Sequence, residues 1–406
     1  MRPKLLFVVT EDWYFWSHRL PIARAALRAG YDVVVATRVS TYADRITTAG
    51  FRLIPLQLSR GSYSPREEFR SIGQLRSIYR QERPQIVHHV ALKPILYGSI
   101  AALGQKEMKV VNAFAGLGYL AASSSMKARV LRPMVWSAMR FLLNRPQSHL
   151  LLQNREDKDV LMGKLKVPPE KITVIRGSGV NVEVFQPTTE PIGTPVVLLA
   201  SRMLWIKGVQ QFVAAAQMLR KKGLSPRFIL AGDGDPNSPS CVPRQELLDW
   251  QNSGAVEWWG HNQDMTAVFR QANVVCLPSH GGEGVPKVLM EAAASGRAII
   301  TTDVPGCRDI VRDGVNGLLV PPKDVPALAH AIEKLLNDPP QREQMAIHGR
   351  NIAVTEFSED VVVRQTLEMY SGLLGAAAPR EGIGGTEPTP PLAETNMFAT
   401  DHAEKR

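Results

Sequence analysis

Cysteine is scarce in this chain, with only Cys241, Cys276 and Cys307. An odd, sparse count without ligand spacing excludes a disulfide framework and a cysteine-built metal site. It points to a reducing compartment. Long hydrophobic runs are missing too. No stretch reaches the ~18 consecutive apolar residues that a bilayer span requires. The opening run Leu5–Thr10 stops at Glu11 and Asp12. That is too short for a secretory signal core, and it reads as a buried first strand. Acid is absent from one long stretch: no Asp or Glu lies between Glu107 and Glu156.

What is present is a globular composition, 44% apolar and 21% charged over 406 residues. That is enough chain for two domains of ordinary size. The net charge of +10 is unevenly placed. Residues 1–190 hold 28 Lys and Arg against 14 Asp and Glu, whereas the rest hold 20 against 24. A basic half beside a near-neutral half implies different partners. For the basic half these are nucleic acid, an anionic membrane surface or a lipid diphosphate.

Strand-like and helix-like segments alternate from end to end. This predicts an α/β protein with parallel sheets covered on both faces. Strands are expected at Leu5–Val9, Asp32–Ala36, Arg52–Pro55, Ile86–His88, Val110–Ala113, His149–Leu152 and Thr173–Ile175. Helices fall between them, among them His18–Arg28 and Pro65–Glu82. A Gly- and Pro-containing stretch follows Arg176. A second strand series then runs through Pro195–Ala200, Arg227–Ala231, Val256–Trp258, Val274–Leu277, Ala298–Thr301 and Gly317–Val320. The expected division is a first domain over 1–180, a linker over 181–194 and a second domain over 195–358. A terminal helix over 359–375 and a disordered tail over 376–406, rich in Gly, Pro, Thr and Glu, complete it. Open α/β sheets bind ligands in the crevice where strand order reverses.

Residues 279–296, SHGGEGVPKVLMEAAASG, carry the most chemistry. A strand runs in, and a helix starting near Val285 or Pro286 runs out. Proline suits a first helical turn because its missing N–H would be unpaired there. The N–H groups of that turn, at the positive end of the helix dipole, form a seat for a phosphate. Gly284 permits close approach to the backbone. Glu283 can accept hydrogen bonds from sugar hydroxyls beside that phosphate. Glu291, about two turns along, lies on the same face and can reach a second sugar such as a ribose. Two carboxylates so spaced also describe an ordinary solvated helix. The order that follows separates the two readings: strand Ala298–Thr301, then TDVPGCRDIV, then NGLLVPP.

That order resembles the E-x7-E signature of the retaining glycosyltransferases of family 4. These have the GT-B fold, two Rossmann-like domains with parallel sheets facing a central cleft. The resemblance implies that Glu283 positions the donor sugar and Glu291 the ribose, with Gly284, Val285 and Pro286 around the donor phosphates. In SRMLWIKG, Arg202 and Lys207 match the family's diphosphate clamp. Physically, an Arg fork and a Lys point charge at a strand end hold a diphosphate and offset charge on the leaving nucleotide. Gly232, in the turn AGDGD, is placed near the nucleotide. Trp258 and Trp259 fit either base contact or core packing. The resemblance also implies that the last helix crosses back to the first domain.

HHVALKP, over 88–94, and NAFAGLGY, over 112–119, resemble the branch of the family that extends sugars on polyprenyl diphosphate carriers. Lys93 can pair with an acceptor phosphate, and Gly116 and Gly118 can admit an extended acceptor. His89 is assigned to the acceptor site, although buried, hydrogen-bonded histidines would look the same. The histidine that many family members carry near Phe114 is missing, so its role does not transfer. After the first strand the family often has a glycine-rich loop, where this chain has DWYFWSHR. A helix N-terminus at Ser17 would suit an anion, and His18 is assigned to the acceptor.

The resemblance implies transfer from a UDP-hexose or UDP-N-acetylhexosamine, with retention, to a saccharide on undecaprenyl diphosphate. No cofactor and no metal are expected, since Arg202, Lys207 and a helix N-terminus supply the positive charge. The expected place is the cytoplasmic face of a bacterial membrane. Residues 123–147 fit that expectation, with Lys127, Arg129, Arg132, Arg140 and Arg145 interleaved with bulky apolar residues and one Trp. Pro133 interrupts the helix, and a helix packed on the sheet with a basic edge is the competing reading. Three alternatives stand beside this function. A GT-B nucleotide-sugar epimerase would lack an acceptor groove, which HHVALKP and GLGY argue against. The others are a glycosyltransferase with a soluble acceptor and a nucleic-acid binder acting through the basic half, for which no motif appears.

Overall fold

The computed structural model describes residues 2–58, 65–117, 126–236, 238–282 and 284–375. Glu283, Gly118, residues 123–125 and the expected tail 376–406 therefore lie outside the described residues.

Two parallel sheets organise the chain. The first holds β1 (Lys4–Glu11), β2 (Asp32–Arg38), β3 (Arg52–Pro55), β4 (Ile86–Val90), β5 (Lys109–Ala113), β6 (Ser148–Leu152) and β7 (Ile172–Val174). Their spatial order is β3-β2-β1-β4-β5-β6-β7. The second holds β8 (Val196–Ala200), β9 (Arg227–Ala231), β10 (Glu257–Gly260), β11 (Val274–Leu277), β12 (Ala298–Thr302) and β13 (Gly317–Val320), ordered β10-β9-β8-β11-β12-β13. The central strands are near-continuous aliphatic runs because helices cover both their faces. Leu5–Val9 is at most 1% exposed and Val196–Ala200 at most 3%.

In each sheet the order reverses beside the first strand, between β1 and β4 and between β8 and β11. Such a reversal opens a crevice at the carboxyl ends of the strands. The segments with the expected chemistry leave from there: Asp12–Arg19 after β1, Ala91–Pro94 after β4, Ser201–Gly208 after β8 and Ser279–Pro286 after β11.

The helix expected over His18–Arg28 is instead two helices, Asp12–His18 and Leu20–Arg28, joined at Arg19. Pro21, which has no N–H to donate, starts the second helix rather than continuing the first. Ser17 thus lies in the last turn of the first helix, so the N-terminus expected there is displaced to Leu20.

The helix Glu359–Leu374 begins on a Ser358 cap and runs onto the first domain. Its Val362, Met369 and Tyr370 join the core of Leu5, Phe7, Phe15 and Ile22. The helix Met126–Leu143 covers the first sheet near β6. Met139 and Leu143 are buried there with Ile95, Leu150 and Leu161. Met134 and Phe141 remain 61% and 62% exposed. Among the described side chains of this helix, apolar residues are thus divided between core and surface, since β6 needs a cover. No helix among the described residues is long and apolar enough to cross a membrane.

Candidate active site

The donor side is built on the loops after β8, β9 and β11. Arg202 is 47% exposed, and its Nη1 donates to Asp235 Oδ2 at 2.9 Å. Lys207 closes a single 3-10 turn, Trp205–Lys207. The next residue, Gly208, has φ +76°, and a Cβ on it would lie 2.0 Å from Pro278 O. Only glycine lets the β8 loop lie against the β11 loop in this way. Gly232, at φ +134°, is held similarly, with a Cβ there only 1.9 Å from Ser201 O. Its N–H donates to Gly260 O at 2.6 Å, and its carbonyl accepts Trp258 Nε1–H at 2.8 Å. Gly232 therefore stitches three loops together beneath Arg202, and the Trp258 N–H is already used by the backbone.

The helix after β11 runs Lys287–Ala294, one or two residues later than expected, with Pro286 extended at its cap. Two N–H groups before it cross to the first domain. Gly284 N–H donates to Ala115 O at 3.1 Å, and Val285 N–H to Gln153 Oε1 at 3.0 Å. A Cβ on Gly284 would sit 1.9 Å from that same Oε1. The close approach that Gly284 permits is made here by Gln153. The N–H groups of Gly284 and Val285, just before the helix, thus have protein partners in this arrangement.

Glu291 faces the inside of the domain boundary. Burial pushes its carboxyl up to about 7; Lys287 draws it down and Glu359 pushes it further up. Lys287 Nζ lies 3.9 Å from Glu291 Oε1 and donates to Ser17 O, in the first domain, at 2.6 Å. A lysine in a helical first turn is unfavourable unless an anion is near. Lys287, in the first turn of the Lys287–Ala294 helix, is a further cation at this site that the sequence does not single out.

His18 meets these cations from the other side. Burial holds its pKa well below the ordinary value, and Lys287, Arg19, Arg202 and Lys207 each lower it further. The cations of β8 and of the 287–294 helix thus act together on one residue of the β1 loop. That loop is anchored by Asp12, fully buried. Its carboxylate accepts from Ser40 N–H at 2.6 Å, Tyr42 N–H at 3.1 Å and Trp13 N–H at 2.7 Å. An acid directly after a buried strand was the available signal for this anchor.

The expected acceptor residues separate. His89 is fully buried, so its assignment to the acceptor is corrected. Its Nε2 bonds Tyr79 Oη at 2.7 Å and its Nδ1 bonds Asn112 Oδ1 at 2.9 Å. Both ring nitrogens are spent, and burial holds the pKa at about 4. Side chains alternate along a strand, so His88 points the other way, with its Nδ1 2.5 Å from Tyr370 Oη. Lys93 lies in the first turn of the helix after β4, paired with Glu68 at 2.9 Å. Gly116 has φ +108° in the loop after β5.

Comparison with known proteins agrees with this two-domain architecture. The family model "Glycosyl transferase 4-like" matches residues 4–151, and "Glycosyl transferases group 1" matches 194–338. The N,N'-diacetylbacillosaminyl-diphospho-undecaprenol alpha-1,3-N-acetylgalactosaminyltransferase of Campylobacter jejuni is 27% identical over 375 residues, 88% of this chain and 96% of that protein. The capsular polysaccharide biosynthesis glycosyltransferase CapM of Staphylococcus aureus is 24% identical, covering 79% of this chain and 85% of its own. Among solved structures, Anabaena HepE with UDP and glucose superposes with a TM-score of 0.75 at 17% identity, covering 91% of this chain and 100% of that one. A glycosyltransferase of Rickettsia africae gives 0.75 at 18%, covering 93% and 100%. These two show the shared fold. With one model on each domain and the GT-B architecture throughout, the chain belongs to the glycosyltransferases of family 4.

Proposed function

We propose that this glycosyltransferase moves a hexose or N-acetylhexosamine from a UDP-sugar to a saccharide carried on undecaprenyl diphosphate, with retention at the anomeric carbon. The observation that carries the reading is that Lys287 Nζ reaches Ser17 O, beside His18, at 2.6 Å while Arg202 and Lys207 follow β8 in the adjoining loop. A nucleotide diphosphate is the anion that answers such a set. The same cations offset charge as the nucleotide leaves, the larger part of what this catalyst must do. They act in place of a divalent ion, and no cofactor takes part. Glu283 positions the donor sugar, Glu291 the ribose, and Gly284, Val285 and Pro286 border the phosphates.

Lys93, Gly116 and Gly118 take the acceptor. The Campylobacter relative supports this side of the reading, since its name specifies a diphospho-undecaprenol substrate. Arg145 lies over the exposed Phe141 ring at 5.9 Å. Basic and apolar side chains so placed suit the anionic inner face of a cell membrane, each cation contributing ~1 kcal/mol.

The test offers UDP-, GDP- and dTDP-sugars with membrane extract and EDTA. Transfer from a UDP-sugar into the lipid fraction is expected. Nucleotide release without a lipid product overturns the lipid acceptor, and strict dependence on added metal overturns the charge assignment. Glu283→Gln should lose transfer while keeping its fold.

A further inference from the structure

Two contacts of Ser17 assign a proton arrangement to His18. Ser17 Oγ carries a single hydrogen and lies 2.9 Å from Trp13 O, one helical turn back. The hydroxyl donates there, as serine commonly does within a helix. Towards His18 Nδ1, at 2.6 Å, Ser17 must then accept. Nδ1 therefore carries the proton, and Nε2 of the neutral ring holds a lone pair. The Tyr14 ring lies parallel to the imidazole at 4.2 Å and 6°, which fixes its plane. Nε2 has no hydrogen-bond partner among the described residues, yet it is not among the sealed, unpaired nitrogens.

The surroundings keep the ring neutral. Arg19 from its own segment, Arg202 and Lys207 from the β8 loop and Lys287 from the helix after β11 all oppose a charge on it. His18 thus places a lone acceptor in a wall of donors. A phosphate oxygen has no hydrogen to give such an atom at neutral pH, whereas a hydroxyl does. We propose that His18 Nε2 accepts a hydrogen bond from a sugar hydroxyl seated beside the diphosphate, which makes His18 a substrate-contacting residue. This rests on the nucleotide-sugar reading above and deepens it. The hydroxyl belongs to the transferred sugar or to the acceptor saccharide. Diphosphate binding cancels the charges around the ring, so Nε2 becomes more basic when the hydroxyl arrives.

The experiment compares His18→Gln, His18→Asn and His18→Ala. A Gln amide oxygen reaches the place of Nε2, while an Asn amide reaches only that of Nδ1 and keeps the Ser17 contact. Transfer should fall tenfold or more, roughly one hydrogen bond's worth, in Asn and Ala and less in Gln. UDP affinity should stay within about threefold in all three. Weakened binding of UDP-N-acetylgalactosamine relative to UDP assigns the hydroxyl to the donor. Unchanged binding with slow transfer assigns it to the acceptor. Full activity in Asn with an inactive Gln variant would show that only the Ser17 contact matters, and would overturn the proposal. In 15N-histidine spectra of the wild type, His18 should show the Nδ1–H form and a pKa that rises with UDP. The opposite tautomer would also overturn it. A wild type that binds no UDP would break the nucleotide-sugar reading instead.

Discussion

Gln153 Oε1 accepts the backbone N–H of Val285 across the domain boundary at 3.0 Å, and the missing side chain of Gly284 makes room for it. Gly284→Ala should therefore lower the thermal midpoint, and Gln153→Ala should relieve most of that loss. Double-mutant unfolding measures this as a coupling of about 1 kcal/mol or more. Equal penalties in both backgrounds would place the constraint on Ala115, whose carbonyl carbon would lie 3.2 Å from the new Cβ.

Glu291 should make stability fall as pH rises. Its folded pKa of about 7 lies above the ordinary 4.5, chiefly because it is buried. Between those values the folded state holds a proton that the unfolded chain has released. Stability from this group is full below about pH 4.5 and is lost at up to ~1.4 kcal/mol per unit towards pH 7. In Glu291→Gln this loss should vanish, so the variant gains stability on the wild type between pH 5 and 8 while binding UDP less tightly. Denaturant titrations at four pH values check the first part. A constant difference across them would refute it.

His89 works in the opposite direction. Its folded pKa of about 4 lies below the ordinary 6.5. As pH falls from 6.5 towards 4 the unfolded chain takes up a proton that the folded one refuses, and stability is lost. His89→Ala should flatten that limb and cost ~3 kcal/mol at pH 7, because Tyr79 and Asn112 lose a buried partner beside a cavity. UDP affinity, read by calorimetry, should not change. A large rise in acceptor KM in a folded variant with unchanged UDP affinity would return His89 to the acceptor site.

Lys93→Ala should raise the acceptor KM and leave UDP affinity alone. Glu68→Gln removes the partner at 2.9 Å but keeps the cation, so acceptor binding should be retained or improved. Equal losses of acceptor and nucleotide in Lys93→Ala would move this lysine to the donor side or to structure.

Much of the fold was legible before any coordinates. The bounds of β3, β9, β11 and β13 agree with the runs read from sequence. β9, β11 and β13 are short, mostly aliphatic runs, and in all four a glycine, proline or charge lies at or beside an end. The helix at 12–18 is not legible in the sequence, because DWYFWSH lacks an apolar period and Pro21 starts the next helix by itself. The helix at 126–143 was read for its basic and apolar content, but a pattern does not say whether β6 or a bilayer receives Leu143.

By itself, the sequence determined the family, the two-sheet architecture and the loops that bear chemistry, since these follow from local runs and from motifs at strand ends. Tertiary structure alone decided what those loops touch. His88 and His89 are neighbours in sequence, yet one meets Tyr370 and the other Tyr79 and Asn112, because successive strand residues face opposite layers. Val285 and Gln153 are 132 residues apart, and only the closing of one domain on the other brings a side-chain amide to a helix entrance. Contacts at that separation depend on how two complete sheets dock, and no local pattern of residues encodes the docking.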